Sequence, residues 1–120
     1  MENLGIGCEI TQDRLNQVLT ELFPSLNFYY WEMEKDKTVL GEAVLFTLLH
    51  NKSEFPIKLD LYGFPKEDVG EREQYIAKQL SIRLACRTIV PYQEEDSTYP
   101  YHCVIFDKDR SYLANDNLTL

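Results

Sequence analysis

The sequence is short of cysteine: Cys8, Cys86 and Cys103 are three in number and lie far apart. An odd count at wide spacing excludes a disulfide framework and a zinc site built on clustered thiols. The expectation is free thiols, buried or half-buried, in a reducing cytoplasm. No long hydrophobic run is present: the best, Ala43 to Leu49, is broken by Thr47 and too short to span a bilayer. Met1-Glu2-Asn3 has no basic lead into an apolar segment, so no secretory signal is expected. With only five glycines, the chain carries no glycine-rich phosphate loop and no G-x-S-x-G turn. Positive charge is also scarce. Twelve Lys and Arg stand against twenty Asp and Glu, a net charge of −8. That argues against a free-standing nucleic-acid binder, which needs a cationic face to neutralise phosphates, and equally against binding to anionic membranes. It fits a cationic protein partner, though solubility alone accounts for an acidic surface too.

What is there suffices for one core. Hydrophobic residues make up 44% of 120, which predicts a single α+β domain over 1–120, loose at 1–9 and 115–120. Phe55, Ile57, Leu59 and Leu61 alternate with Lys58 and Asp60, the pattern of a strand with one face in a core and one in water. Before it, Thr38 to Leu49 is apolar on both faces. A buried strand fits, with a helix from Glu42 as the rival, and His50 to Glu54 then closes an antiparallel hairpin. Phe28 to Trp31 is β-prone.

Two helices are expected. The first starts at the N-cap Thr11, with Ile10 stapled on Leu15. It buries Leu15, Val18, Leu19 and Leu22, and Pro24 ends it. The second starts at Asp68, with Glu71 reaching back. It buries Val69, Ile76, Ala77, Leu80 and Leu84, and carries Arg83 and Arg87 near its end. Thr88–Tyr92, Tyr101–Phe106 and Ser111–Ala114 read as further strands. The order is α-β-β-β-α-β-β-(β), with a mostly antiparallel sheet and both helices packed on one face.

No residue set spells out a catalytic, cofactor or metal site. His102 and Cys103 are strand neighbours and point to opposite faces, so they do not pair; Cys8 or Cys86 meeting a histidine in space stays open. Asp107, Asp109 and Asp116 lack the glycine and closing glutamate of a calcium loop. The segment that stands out is Tyr92-Gln93-Glu94-Glu95-Asp96-Ser97-Thr98-Tyr99-Pro100-Tyr101. Tyr92, Tyr99 and Tyr101 offer large contact area at low entropy cost, and Glu94, Glu95 and Asp96 would steer a basic protein. A solvated loop accounts for the same residues. Glu32 and Glu34 form a second acidic stripe, with a plain wet strand face as the alternative.

This small, acidic, cysteine-poor α+β pattern resembles the bacterial immunity proteins made beside contact-dependent growth inhibition and other polymorphic toxins. The carrying stretches are Phe55–Phe64, Ile76-Ala77-Lys78-Gln79-Leu80-Ser81 and Tyr101–Asp107. The resemblance implies a non-catalytic, cytoplasmic inhibitor, monomeric or weakly dimeric. It would cover the active site or nucleic-acid surface of one cationic toxin domain, often a nuclease, with no cofactor. Two rivals remain: a small enzyme or ligand-binding domain with a pocket between helix and sheet, and a regulatory or assembly adaptor.

Overall fold

Ile57, Leu59 and Leu61 are fully buried on one side of a strand, as their alternation predicts. The computed structural model that shows this describes residues 2–31, 43–64, 69–91 and 102–115. In chain order the elements are β1 (Glu2–Ile6), α1 (Gln12–Leu22), β2 (Phe28–Tyr30), β3 (Val44–His50) and β4 (Ile57–Tyr62). They continue with α2 (Val69–Leu84), β5 (Arg87–Pro91), β6 (His102–Asp107) and β7 (Arg110–Asn115). The seven strands form one sheet in the order β2-β3-β4-β1-β5-β6-β7. Every neighbouring pair is antiparallel except β2–β3. The α+β class, the two helices and the mostly antiparallel sheet are as the sequence predicts.

The two helices share one sheet face. Leu15, Val18 and Leu19 of α1 and Ile76, Ala77 and Leu80 of α2 join Leu4, Ile6, Val44, Phe46, Ile57, Leu59, Leu61, Val90, Val104 and Phe106 in a single buried cluster. Thr11 caps α1 as expected, its hydroxyl accepting from the Arg14 N–H at 3.2 Å. Asp68, the expected cap of α2, lies outside the described residues. Arg87 belongs to β5 and not to the helix end, because α2 stops at Leu84. Ala85 turns left-handed (φ 53°) and the Cys86 N–H returns to the Ser81 carbonyl, a six-to-one closure of the helix terminus.

Three expectations need correction. The first residues are not loose: β1 is the middle strand of the sheet, paired with β4 from Glu2↔Leu61 to Ile6↔Ile57 and with β5 at Gly5↔Ile89 and Ile6↔Thr88. Leu4 and Ile6 fill the core beneath the helices. The low strand propensity of Asn3, Gly5 and Gly7 hides that alternation, yet Gly7 has a positional reason. A Cβ there would sit 2.7 Å from the Arg87 carbonyl oxygen, which accepts the Gly7 N–H.

Phe55 does not share the face of Ile57. A bend over Lys52–Phe55, in which the Ser53 hydroxyl accepts the Phe55 N–H, breaks the alternation. Phe55 packs instead with Ile89, Cys103 and Ile105, a second cluster apart from the main core. Asp60 is not in water either. It is 7% exposed, between Asn3 and Thr47 in the ladder, and its Oδ1 has no hydrogen-bond partner among the described residues.

Buried polar contacts tie α2 to the sheet. Glu2, 2% exposed, pairs with Arg72 at 2.9 Å, and the Arg72 guanidinium lies 4.8 Å over the Phe64 ring. The Asn3 N–H donates to Glu73 at 2.8 Å; burial nevertheless raises the Glu73 pKa above its ordinary value. The Thr88 hydroxyl donates to the Ala77 carbonyl at 2.6 Å.

Leu4→Ala should therefore cost about 2–5 kcal/mol in urea unfolding, the range for a core leucine, and not the near-zero cost of a frayed end. Ala85→Gly should stabilise the fold by about 0.5–1 kcal/mol, because glycine adopts the left-handed conformation without the Cβ clash that alanine bears. Both follow from chemical denaturation midpoints at constant slope.

Candidate functional site

The first turn of α1 overhangs the ends of β2 and β3. Glu9, Ile10, Thr11 and Gln12 make one wall and Tyr30, Leu48 and His50 the other, around an open groove of about 490 Å³. That volume suits a small ligand. Leu48 and Ile10 supply an apolar floor that continues into the main core. The chain reaches this geometry because the Thr11 cap fixes where the helix begins, while β3 ends at His50 directly beside it.

Two titratable groups meet there. His50 Nδ1 lies 3.3 Å from Glu9 Oε2, with both side chains largely exposed. His50 is the last residue of β3, not a loop residue, which brings it to the groove. The chemistry available is limited. An imidazole and a carboxylate can exchange a proton with a bound molecule, but no cysteine lines the groove, and the Thr11 oxygen is occupied as a helix cap. The electrostatics are mixed: the helix N-terminus and a protonated His50 favour an anion, and Glu9 opposes it. Among the described residues no group of three or more His, Cys, Asp and Glu side chains is placed to hold a metal ion.

Tyr92, Glu94, Glu95, Asp96, Tyr99 and Tyr101, with Glu32 and Glu34, lie outside the described residues. Their anchors are described. β5 ends at Pro91, which pairs with Cys103 of β6, so the described ends of the β5–β6 connection lie on neighbouring strands. On the sheet face opposite the helices, the rings of Trp31 and Tyr62 meet edge-on at 5.3 Å, and Tyr29 is exposed. Cys8 and Cys86 meet each other, with their sulfurs 2.9 Å apart. Reading the sequence alone missed the His50–Glu9 pair, because no local spacing links position 9 to position 50. Comparisons with known protein families, with curated proteins and with solved structures return no match to this chain. No helix among the described residues is long and apolar enough to cross a membrane.

An exposed pair at 3.3 Å contributes little to folding. Glu9→Ala and His50→Ala should each move the unfolding free energy by less than about 0.5 kcal/mol, measured by thermal or urea melts.

Proposed function

We propose that this chain is a non-catalytic, cytoplasmic inhibitor that binds a cationic protein, a toxin domain of nuclease type, and covers its active site or nucleic-acid surface. The observation that carries the reading is the charge pattern. The net charge is −8, and three consecutive acids, Glu94-Glu95-Asp96, stand between tyrosines in the ten residues joining β5 to β6. The two strands that flank that connection are paired with each other. Acids steer a basic partner into contact, and tyrosines then supply contact area. Glu32 and Glu34 extend the same chemistry on the connection between β2 and β3.

A domain of this size has room for a standard interface, about 800 Å² per partner. The second reading, a ligand-binding domain, rests on the groove at His50; no described feature favours the adaptor reading. The two readings use different residues, so mutations separate them.

Tagged protein recovered from its native host in low salt should bring down one basic protein at near-equal stoichiometry, and that protein's activity should be lost in the complex. Recovery of this chain alone, while the toxin is expressed, would overturn the proposal. With the partner in hand, reversing Glu94, Glu95 and Asp96 to lysine should slow association about tenfold or more at low ionic strength, and less at high salt. Unchanged association and dissociation rates would remove this segment from the interface.

A further inference from the structure

The β1–β5 ladder runs Gly5↔Ile89 and Ile6↔Thr88, and the Gly7 N–H donates to the Arg87 carbonyl at 2.7 Å. One more step in the same register sets Cys8 opposite Cys86. Gly7 and Arg87 are hydrogen-bonded, so the next pair along is of the close, non-hydrogen-bonded kind, in which facing side chains approach most nearly. The spacing of such pairs suits a disulfide. The two sulfurs lie 2.9 Å apart, nearer than two unbonded sulfurs ordinarily rest. Both cysteines are half-buried free thiols at the margin of the main core. Cys103, by contrast, is buried in the second cluster with Phe55, Ile89 and Ile105.

The backbone around the pair is held from several sides. Ser81, fully buried on α2, has its hydroxyl 2.7 Å from the Cys86 carbonyl and 3.1 Å from the Phe106 carbonyl, and accepts the Lys108 N–H at 2.7 Å. The Cys86 N–H bonds back to the Ser81 carbonyl. Gly7 is pinned on Arg87. The thiols therefore meet because two anchored segments bring them together.

We infer that Cys8 and Cys86 form a peroxide-sensitive dithiol that closes as an internal disulfide, stapling the Glu9–Gln12 wall of the His50 groove to the end of α2. Cys8 directly precedes that wall, and Cys86 lies two residues beyond the last turn of α2. The thiol chemistry does not depend on the toxin-inhibitor reading.

The chemistry balances with hydrogen peroxide as oxidant. The Cys8 thiolate attacks one peroxide oxygen, the O–O bond breaks, and a sulfenic acid and hydroxide form; the hydroxide takes up the proton that the Cys8 thiol had released and becomes water. The Cys86 sulfur then attacks the Cys8 sulfur. The S–S bond forms, the S–O bond breaks, and the departing hydroxide takes the Cys86 proton as water. Two thiols lose two electrons and two protons; one peroxide becomes two waters. Burial, with the Cys8 sulfur beside it, pushes the Cys86 thiol up to about 12. The balance is the same with the roles of the two sulfurs exchanged, and the product is the same disulfide.

The test treats the folded, reduced chain with hydrogen peroxide, blocks the remaining thiols and maps tryptic peptides without reduction. Two of the three thiols should vanish together while Cys103 persists, and peptide 1–14 should appear linked to peptide 84–87. Dithiothreitol should restore both thiols. The same bond should form at least about tenfold more slowly in urea, where the fold no longer holds the sulfurs together. Cys8→Ser and Cys86→Ser should each abolish the linked peptide; the wild-type map does not depend on how well those variants fold. Three surviving thiols would overturn the inference. So would Cys103 reacting as readily as Cys8, cross-linking only between chains, or equal rates in folded and unfolded protein.

Discussion

The pairing of β1 on both its edges is the constraint on which the sheet depends. β2, β3 and β4 make one set of neighbours and β5, β6 and β7 another; among the described strands, Glu2–Ile6 joins them. The join is narrow on the β5 side, where it runs through Gly5, Ile6 and the Gly7 N–H. Backbone approach is so close at Gly7 that any Cβ would collide with the Arg87 oxygen. The same strand delivers Leu4 and Ile6 to the core and Glu2 to Arg72. Glu2 is buried, and Arg72 meets its carboxylate at 2.9 Å, which offsets the cost of burying that group.

The helices hold because their polar interior groups are satisfied by the sheet. Ser81 and Thr88 are both fully buried, and each hydroxyl bonds a carbonyl of another segment. Ser81 touches the lead into β5, the end of β6 and the β6–β7 turn, where Lys108 adopts a left-handed φ of 58°. One hydroxyl thus sets the relative positions of three segments. Both groups described at the end of β1 and the start of α1, the thiol pair and the His50 groove, follow from this bracing. They lie where the chain leaves β1 for α1, a stretch with no regular structure whose neighbours are all fixed.

The functional proposal draws on a different part of the molecule. Charge and tyrosine content are properties of the chain itself, legible in the order of its residues without regard to how they fold. The groove, in contrast, arises only from the meeting of distant positions: Glu9 and Gln12 come from the start of one helix, Tyr30 from an edge strand, and Leu48 and His50 from the next. Its proton-exchange pair is available to a ligand without being required by the fold.

The amino-acid order by itself determined the elements that rest on local physics. Ile57, Leu59 and Leu61 could be placed on one face because strand side chains alternate. Leu15, Val18 and Leu19 could be placed on one helix stripe because they recur at helical spacing, and Thr11 marked where that helix starts. Position 55 departed from the pattern because the bend over Lys52–Phe55 breaks the strand there, which alternation cannot register. Tertiary structure alone decided that β1 sits at the centre, that Asp60 is buried, and that Cys8 meets Cys86. Each of these depends on register between segments tens of residues apart. Strand pairing is set by burial summed over the whole sheet, and no short window of sequence carries that sum.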